Sequence, residues 1–277
     1  MRIDELTQAE RKQQAGGVQA DQFFLLPQQA QHLAQWIKTK PFFSKVTRII
    51  DPCTGAGAIS KFFPNCERYD LHPQDNETKQ QDYLTSNFKP STDGGTLVIQ
   101  NSPYGSHNNL AIAFFQKSAQ FADYIAQVVP RTFRRMSIQN KLHNQWQLVD
   151  QYDLPYKSFY LPAEGKIIPY DVPSTAQLWQ RVEEPRTITP QRKDSQLFQW
   201  TRDANEADFA IRMHGRRAGQ LVPKEEFNMI DSSPSFYFIK GDITPFEKVD
   251  WDKLGNDVMG PRHLSKPDIV AAVENPQ

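Results

Sequence analysis

Two segments of the chain carry residue types whose spacing supports chemistry. Asn101-Ser102-Pro103-Tyr104 follows Gln100 and the apolar run Thr96-Leu97-Val98-Ile99, and Asp51-Pro52-Cys53-Thr54-Gly55-Ala56-Gly57 begins 50 positions earlier. A side-chain amide and the next main-chain carbonyl can both accept from an exocyclic amine, and the ring of Tyr104 offers a plane on which a flat group can stack. An acid at a strand end, followed by glycines where the chain turns tightly, lets backbone approach an adenosine-containing ligand closely. The pair therefore reads as a cofactor loop and a ledge for a planar nitrogen.

Such segments work only if a scaffold brings strand ends together. Residues 46–50 form a short β-branched run ending at Asp51, and Glu67-Arg68-Tyr69 leads to a second acid, Asp70, before Leu71-His72-Pro73 breaks the chain. Parallel neighbours need crossovers of about a dozen residues, so the short stretch after Asp70 leaves room only for a minimal third strand near Asp82-Tyr83-Leu84. The pattern then predicts a strand at 96–100, an amphipathic helix at 110–121, a strand at 124–129, a helix at 137–143, and last strands at 147–152 and 176–182. Pro27 opens a helix through Lys38 with Leu33, Trp36 and Ile37 on one face. Trp36, Trp146 and Trp179, in apolar-patterned segments, are expected in the core.

This alternation predicts an α/β fold, a doubly wound sheet with helices on both faces, over residues 21–183. Residues 1–20 are polar and read as a flexible arm. Residues 184–277 read as a proline-containing connector followed by a small β-rich appendage. Its strand candidates are 209–213 and 235–239, joined by the turn-rich His214-Gly215-Arg216-Arg217-Ala218-Gly219, with a loose tail after them.

The 277 residues carry 32 Lys plus Arg against 32 Asp plus Glu, so any phosphate contact must come from a local patch and not from an overall field. That patch is Arg131, Arg134 and Arg135 with Lys141, with Arg216 and Arg217 as a second candidate. Two cysteines without paired spacing suggest neither a zinc site nor a disulfide framework, and the six histidines lack ligand spacing, so no metal is expected. No apolar run approaches the roughly 18 to 20 residues of a membrane span. These features fit a soluble protein of a reducing cytoplasm.

The ordered set resembles the class I S-adenosylmethionine-dependent amino-methyltransferases, and within them the N6-adenine DNA methyltransferases. The resemblance spans about residues 21–182 and implies a Rossmann-like sheet and S-adenosyl-L-methionine as cofactor. It also implies a nucleic-acid partner, with DNA favoured. The glycine loop (Asp51, Pro52, Gly55, Gly57) would meet the cofactor's amino-acid part, Asp70 its ribose, and Asp82 its adenine. Asp21-Gln22-Phe23-Phe24-Leu25-Leu26-Pro27 resembles the motif that precedes this loop, which implies cofactor roles for Phe24 and Pro27; the family's usual threonine is replaced by Leu25 or Leu26. Asn101, Ser102, Pro103 and Tyr104 would be catalytic, with Asn101 also touching the cofactor. The family usually has proline at position 102; serine keeps the carbonyl and loosens the turn.

Plainer readings stand beside these. A glycine turn can be structural, Asn-Ser-Pro-Tyr can open an ordinary turn, and a helix that opens with arginines is often only solvated. Among functional readings, methylation of RNA adenine, methylation of protein glutamine and a catalytically inactive scaffold of the same fold remain open beside DNA adenine. Oligomeric state and recognition sequence are not legible.

Overall fold

The computed structural model describes residues 23–163, 166–188, 190–229, 235–256 and 262–275; the expected arm at 1–20 lies outside these. The chain divides into two units, residues 1–130 with 140–188 and residues 131–139 with 189–277. The division falls after Ile188, a few residues beyond the expected boundary at 183. The short segment 131–139, expected in the first domain, belongs to the second unit.

The first unit is built on a seven-stranded sheet. Its parallel members are β2 (Val46–Asp51), β3 (Glu67–Asp70), β4 (Lys79–Gln80), β5 (Gly95–Gln100) and β6 (Tyr124–Pro130). β10 (Ser174–Arg181) runs antiparallel between β6 and β7 (Trp146–Asp153), which gives the order β4-β3-β2-β5-β6-β10-β7. The chain moves outward from β2 to β4 and then restarts on the other side of β2 with β5. This is the mixed α/β, doubly wound architecture expected. Two expectations shift. The third strand lies at Lys79–Gln80, because Tyr69 and Asp70 of β3 pair with those residues, while Asp82 accepts the Leu84 N–H at 3.0 Å and turns the chain at 82–84. The helix expected at 137–143 shrinks to α3 (Met136–Gln139), preceded by a 3-10 turn at Arg131–Arg134.

Helices α1 (Pro27–Lys38) and α2 (Asn109–Ser118) cover opposite faces of the sheet, and a β-bulge lets β7 present aromatic residues to both. Trp179 pairs with Leu148 and Leu178 with Asp150, so Val149 is an extra residue in β7. Successive residues of a strand alternate faces, and one extra residue reverses the alternation. Trp146, before the bulge, meets Phe115 of α2 (ring centroids 5.7 Å), which also packs on Trp179 at 5.3 Å. Tyr152, after it, meets Trp36 of α1 at 5.0 Å, and the Trp36 indole donates to Asp150 at 3.1 Å. Trp146 and Trp179 are buried as expected, whereas Trp36 is half-buried.

On the α2 face a row of glutamines crosses the sheet. Gln100 is the register partner of Gln127, Gln127 of Gln177 and Gln177 of Gln151. Their side-chain amides donate in one direction, Gln100 to Gln127 at 3.3 Å, Gln127 to Gln177 at 3.4 Å and Gln177 to Gln151 at 3.2 Å. Ser118 of α2 donates to Gln100 at 3.3 Å and pairs with the Tyr83 hydroxyl at 2.8 Å. Gln100, Gln127 and Gln177 are fully buried, where an unmatched amide would be costly.

Two further features of this unit were not anticipated. β1 (Phe24–Leu25), β8 (Phe159–Ala163) and β9 (Lys166–Tyr170) form a separate three-stranded sheet. Leu25 pairs with Phe159 and Phe24 with Tyr160, so the segment before α1 is clipped to a hairpin far away in sequence.

The second unit holds a four-stranded antiparallel sheet of β11 (Phe198–Thr201), β14 (Phe236–Gly241), β12 (Phe209–Arg212) and β13 (Leu221–Pro223). The turn at 214–219 joins β12 to β13, and β14 pairs with β12 from its other side, so the turn does not link the two expected strands directly. Helices α4 (Thr244–Glu247), α5 (Trp251–Gly255) and α6 (Lys266–Glu274) complete its core, with Phe209, Phe246, Trp251 and Ile269 buried together. α6 occupies part of what was expected to be a loose tail. Its Asp268 completes a capping box with Ser265 and also pairs with Arg135 at 3.2 Å.

The glutamine row generates a stability prediction. Gln127→Leu strands amide groups of both neighbours and should lower unfolding free energy by about 2–4 kcal/mol, whereas replacing Gln100, Gln127 and Gln177 together by leucine should cost less than the sum of the three single changes. Urea denaturation of the four variants measures both quantities.

Candidate active site

In open α/β sheets, ligands bind outside the carboxyl ends of the strands, where the chain's direction of winding reverses. Here that point lies between β2 and β5, which pair in parallel with Ile50 opposite Val98. Asp51 ends β2 and Asn101 follows β5, so both chemistry-bearing segments leave neighbouring strands side by side.

The glycine loop is held from two directions. Gly55 and Gly57 adopt φ of 53° and 69°, the left-handed region in which a side chain is strained. A Cβ on Gly55 would stand 3.1 Å from the Phe24 ring, so glycine here lets the segment before α1 close on the loop. From the other direction, Asp70 accepts the Gly55 N–H at 2.7 Å and, through its second oxygen, the His72 N–H at 2.9 Å. The carboxylate thereby fixes the loop to β3 and keeps free lone pairs on both oxygens for hydroxyl donors. Asp82 lies beyond β4 with one oxygen on Leu84 N–H.

Asp51 is 2% exposed. Burial raises its carboxyl to about 7, and the Asp70 charge adds to this, against the opposing pull of the Cys53 N–H and Arg68. A cationic ligand group placed near it would restore the charged form. Desolvation, with the charges of Asp51 and Asp70, pushes the Cys53 thiol well above its ordinary value although the Asn101 N–H lies on its sulfur. Cys53 is thus a neutral contact between loop and ledge, and both cysteines are free.

At the ledge, the side-chain N–H of Asn101 donates to the main-chain carbonyl of Phe23 at 2.8 Å. Only the NH₂ end of an amide can face a carbonyl, so this contact turns Oδ1 the other way and leaves it an acceptor without a protein partner among the described residues. Ser102 is 2% exposed and its hydroxyl has no hydrogen-bond partner among the described residues. The Tyr104 ring, read from sequence as a stacking plane, is also 2% exposed, with its hydroxyl 3.3 Å from that of Ser174 and Phe23 lying over it at 5.9 Å. Beyond Pro103 the chain stores strain, since His107 and Asn108 both take left-handed φ, 54° and 65°. Such residues cost about 1–3 kcal/mol each and cluster at functional sites.

Phe23 and the hairpin that pins its neighbours are the site residues that sequence reasoning left without a role of their own. The available signal was the aromatic pair Phe23-Phe24 just ahead of Pro27. Pro27 itself opens α1, away from any hydrogen-bonding role, and Pro52 is buried within the glycine loop.

The predicted phosphate contacts separate by unit. Lys141 is exposed in the first, and the other five lie in the second. Arg135 is committed to Asp268 and to the carbonyl of His263, and Arg131 and Arg134 are half-buried with partners of their own. Arg216 and Arg217 are exposed in the turn between β12 and β13. Among the described residues no group of three or more His, Cys, Asp or Glu could hold a metal ion, and no helix is long and apolar enough to cross a membrane.

No protein-family model and no curated protein matches the chain. Solved structures resemble it weakly. A type I restriction-modification methyltransferase subunit from Streptococcus thermophilus is 12% identical with a TM-score of 0.45, over 87% of this chain and 59% of that one. A Pyrococcus horikoshii protein assigned as an RNA methyltransferase is 13% identical with a TM-score of 0.43, over 63% and 99%. Magnesium protoporphyrin IX methyltransferase from Synechocystis, with S-adenosylmethionine bound, is 10% identical with a TM-score of 0.36, over 56% and 79%. At such scores the likeness carries no argument about chemistry, and these three proteins differ in what their names say they act on.

The buried Asp51 carboxyl sets a pH dependence. Its folded value, about 7, lies above the ordinary 3.8, so the native state holds a proton that the unfolded chain has lost over that interval. Stability should fall as pH rises from about 4 to about 7 and then level off, at roughly 1.4 kcal/mol per unit before other groups contribute. Asp51→Asn should flatten that slope and raise the melting temperature at pH 8, as read by thermal denaturation across pH.

Proposed function

We propose that the chain is an S-adenosyl-L-methionine-dependent methyltransferase acting on the exocyclic N6 amine of adenine in DNA. One observation carries this reading: the Asn101 amide, oriented as an acceptor by the Phe23 carbonyl, stands at the switch point beside a glycine loop tied down by Asp70. A loop for an adenosine-containing cofactor and an acceptor for an amine leave adjacent strands, as methyl transfer between the two requires.

In this reading the loop residues Asp51, Gly55 and Gly57 hold the amino-acid end of the cofactor, with Asp51 matching its ammonium. Asp70 accepts from the ribose and Asp82 from the adenine amine. When bound, the cofactor supplies an electrophilic methyl group. Asn101 Oδ1 and the Ser102 carbonyl accept the two N–H groups of the target amine, drawing its lone pair out of conjugation and toward the methyl group. The proton released from the amine passes to solvent. The second unit, residues 131–139 with 189–277, would serve target recognition, with exposed Arg216 and Arg217 as phosphate contacts.

Purified protein incubated with methyl-tritiated cofactor and unmethylated DNA should yield labelled N6-methyladenine after digestion. Label confined to RNA adenine or to protein glutamine would move the substrate to one of those classes, and bound cofactor without any label would indicate an inactive scaffold. Asn101→Ala should lower turnover about 10²- to 10³-fold with cofactor affinity changed by less than about threefold. Asp70→Ala should weaken cofactor binding about 10- to 100-fold, because it removes both a ribose acceptor and the anchor of the loop. Isothermal titration with S-adenosylhomocysteine, run beside the turnover assay, separates the two effects.

A further inference from the structure

We infer that His214 and His263 form an acid-opened clasp within the second unit, closed while the pair carries at most one proton and opened when both rings are charged. The two residues face each other across an isolated antiparallel bridge. Leu264 N–H donates to the Met213 carbonyl at 2.9 Å and Gly215 N–H to the Arg262 carbonyl at 3.0 Å. These main-chain bonds flank the histidines and leave them at the position of an antiparallel pair where facing side chains stand closest. The imidazoles stack, with centroids 4.5 Å apart, planes inclined by 16° and Nδ1 atoms separated by 2.9 Å. His214 is exposed and His263 half-buried, so protons reach the pair without unfolding of the unit.

Proximity limits how many protons the closed pair can hold. One proton sits on either ring without conflict, whereas a second places two positive charges at stacking distance. The surroundings do not offset this. Burial holds the His263 imidazole below its ordinary value, with His214 and Arg135 adding to the effect, against the pull of Asp268 and of the Met213 main chain. Asp268, from α6, is itself paired with Arg135 at 3.2 Å. Arg262 is spent on Asp252 of α5, on Asn256 at 2.9 Å and on the Arg216 carbonyl at 3.4 Å, while Arg216 and Arg217 add exposed positive charge in the same turn. Once the bridge opens, each ring takes its proton near the usual histidine value of about 6.5, so the open form binds one proton more than the closed form. Opening is therefore favoured by about tenfold for each pH unit below about 6.5. It separates the turn that carries Arg216 and Arg217 from the segment leading through buried Leu264 into α6.

Residue-resolved amide hydrogen exchange of the full chain, corrected for intrinsic rates and compared at about pH 7.5 and about pH 5, tests the clasp. The Gly215 and Leu264 amides should lose protection about 10- to 30-fold in acid, while the β12–β14 ladder stays within about threefold. His214→Phe keeps a flat ring without a charge, and its Gly215 and Leu264 amides should hold their protection within about threefold over the same interval. Histidine ring resonances followed by NMR should show the pair titrating in two steps at least about one pH unit apart, reduced to one step in His214→Phe. Protection that is independent of pH in the wild type, or that falls equally in His214→Phe, overturns the inference. So do two rings that titrate independently, and so does a loss that spreads through β12 and β14, which marks unfolding of the whole unit. Asp51 titrates over the same interval but lies in the first unit and acts with the opposite sign, since its proton stabilises the native state.

Discussion

The main-chain ladder between β2 and β5 is the contact on which the rest of the site depends. Parallel strands that leave the chain far apart in sequence are brought to one edge, and everything chemical follows from what each strand releases at its carboxyl end. The glutamine row fixes the registers on the other side of β5, from β5 through β6 and β10 to β7, on the α2 face: each amide is matched only when Gln100, Gln127 and Gln177 stand opposite one another, and a slip of one residue would bury unmatched polar groups. Because Gln100 directly precedes Asn101, the register that satisfies the row is also the one that delivers the ledge.

The sheet and the two motifs at its switch point were readable because each rests on local patterning. A β-branched run ending in Asp51 marked β2, Glu67-Arg68-Tyr69 leading to the acid Asp70 and a chain-breaking His72-Pro73 marked β3, the apolar run to Gln100 marked β5, and three-to-four spacing marked α1. Where the pattern was short it misled. Asp82-Tyr83-Leu84 has strand-forming residues, but the carboxylate of Asp82 closes a turn on Leu84, and the true edge strand is the polar pair Lys79–Gln80, chosen by pairing with β3. Two residues carry no periodicity to read.

What stayed hidden depends on contacts between distant positions. Phe23 meets Asn101 across 78 residues, and nothing in either neighbourhood announces the partner. The role of Arg135 was equally invisible: a run of arginines suggests a phosphate site, yet Asp268, distant in the chain, takes one of them into an ion pair within the second unit. The exposure of Tyr104 followed the same rule. Its place after β5 was legible, whereas the ring that covers it belongs to the first described residue of the chain.

The bulge at Val149 has a bearing on how this chain can change length. Before it, β7 turns Trp146 toward α2; after it, Tyr152 toward α1. Val149 is the extra residue, so removing it would leave Leu148 opposite Trp179 and Asp150 opposite Leu178 with every side chain on its present face, whereas removing two residues would exchange the faces beyond the cut, sending Tyr152 to the wrong helix and the Asp150 carboxylate away from the Trp36 indole. Across relatives of this protein, β7 should therefore tolerate a gap of one residue at the bulge, and larger gaps should gather in the loops on either side.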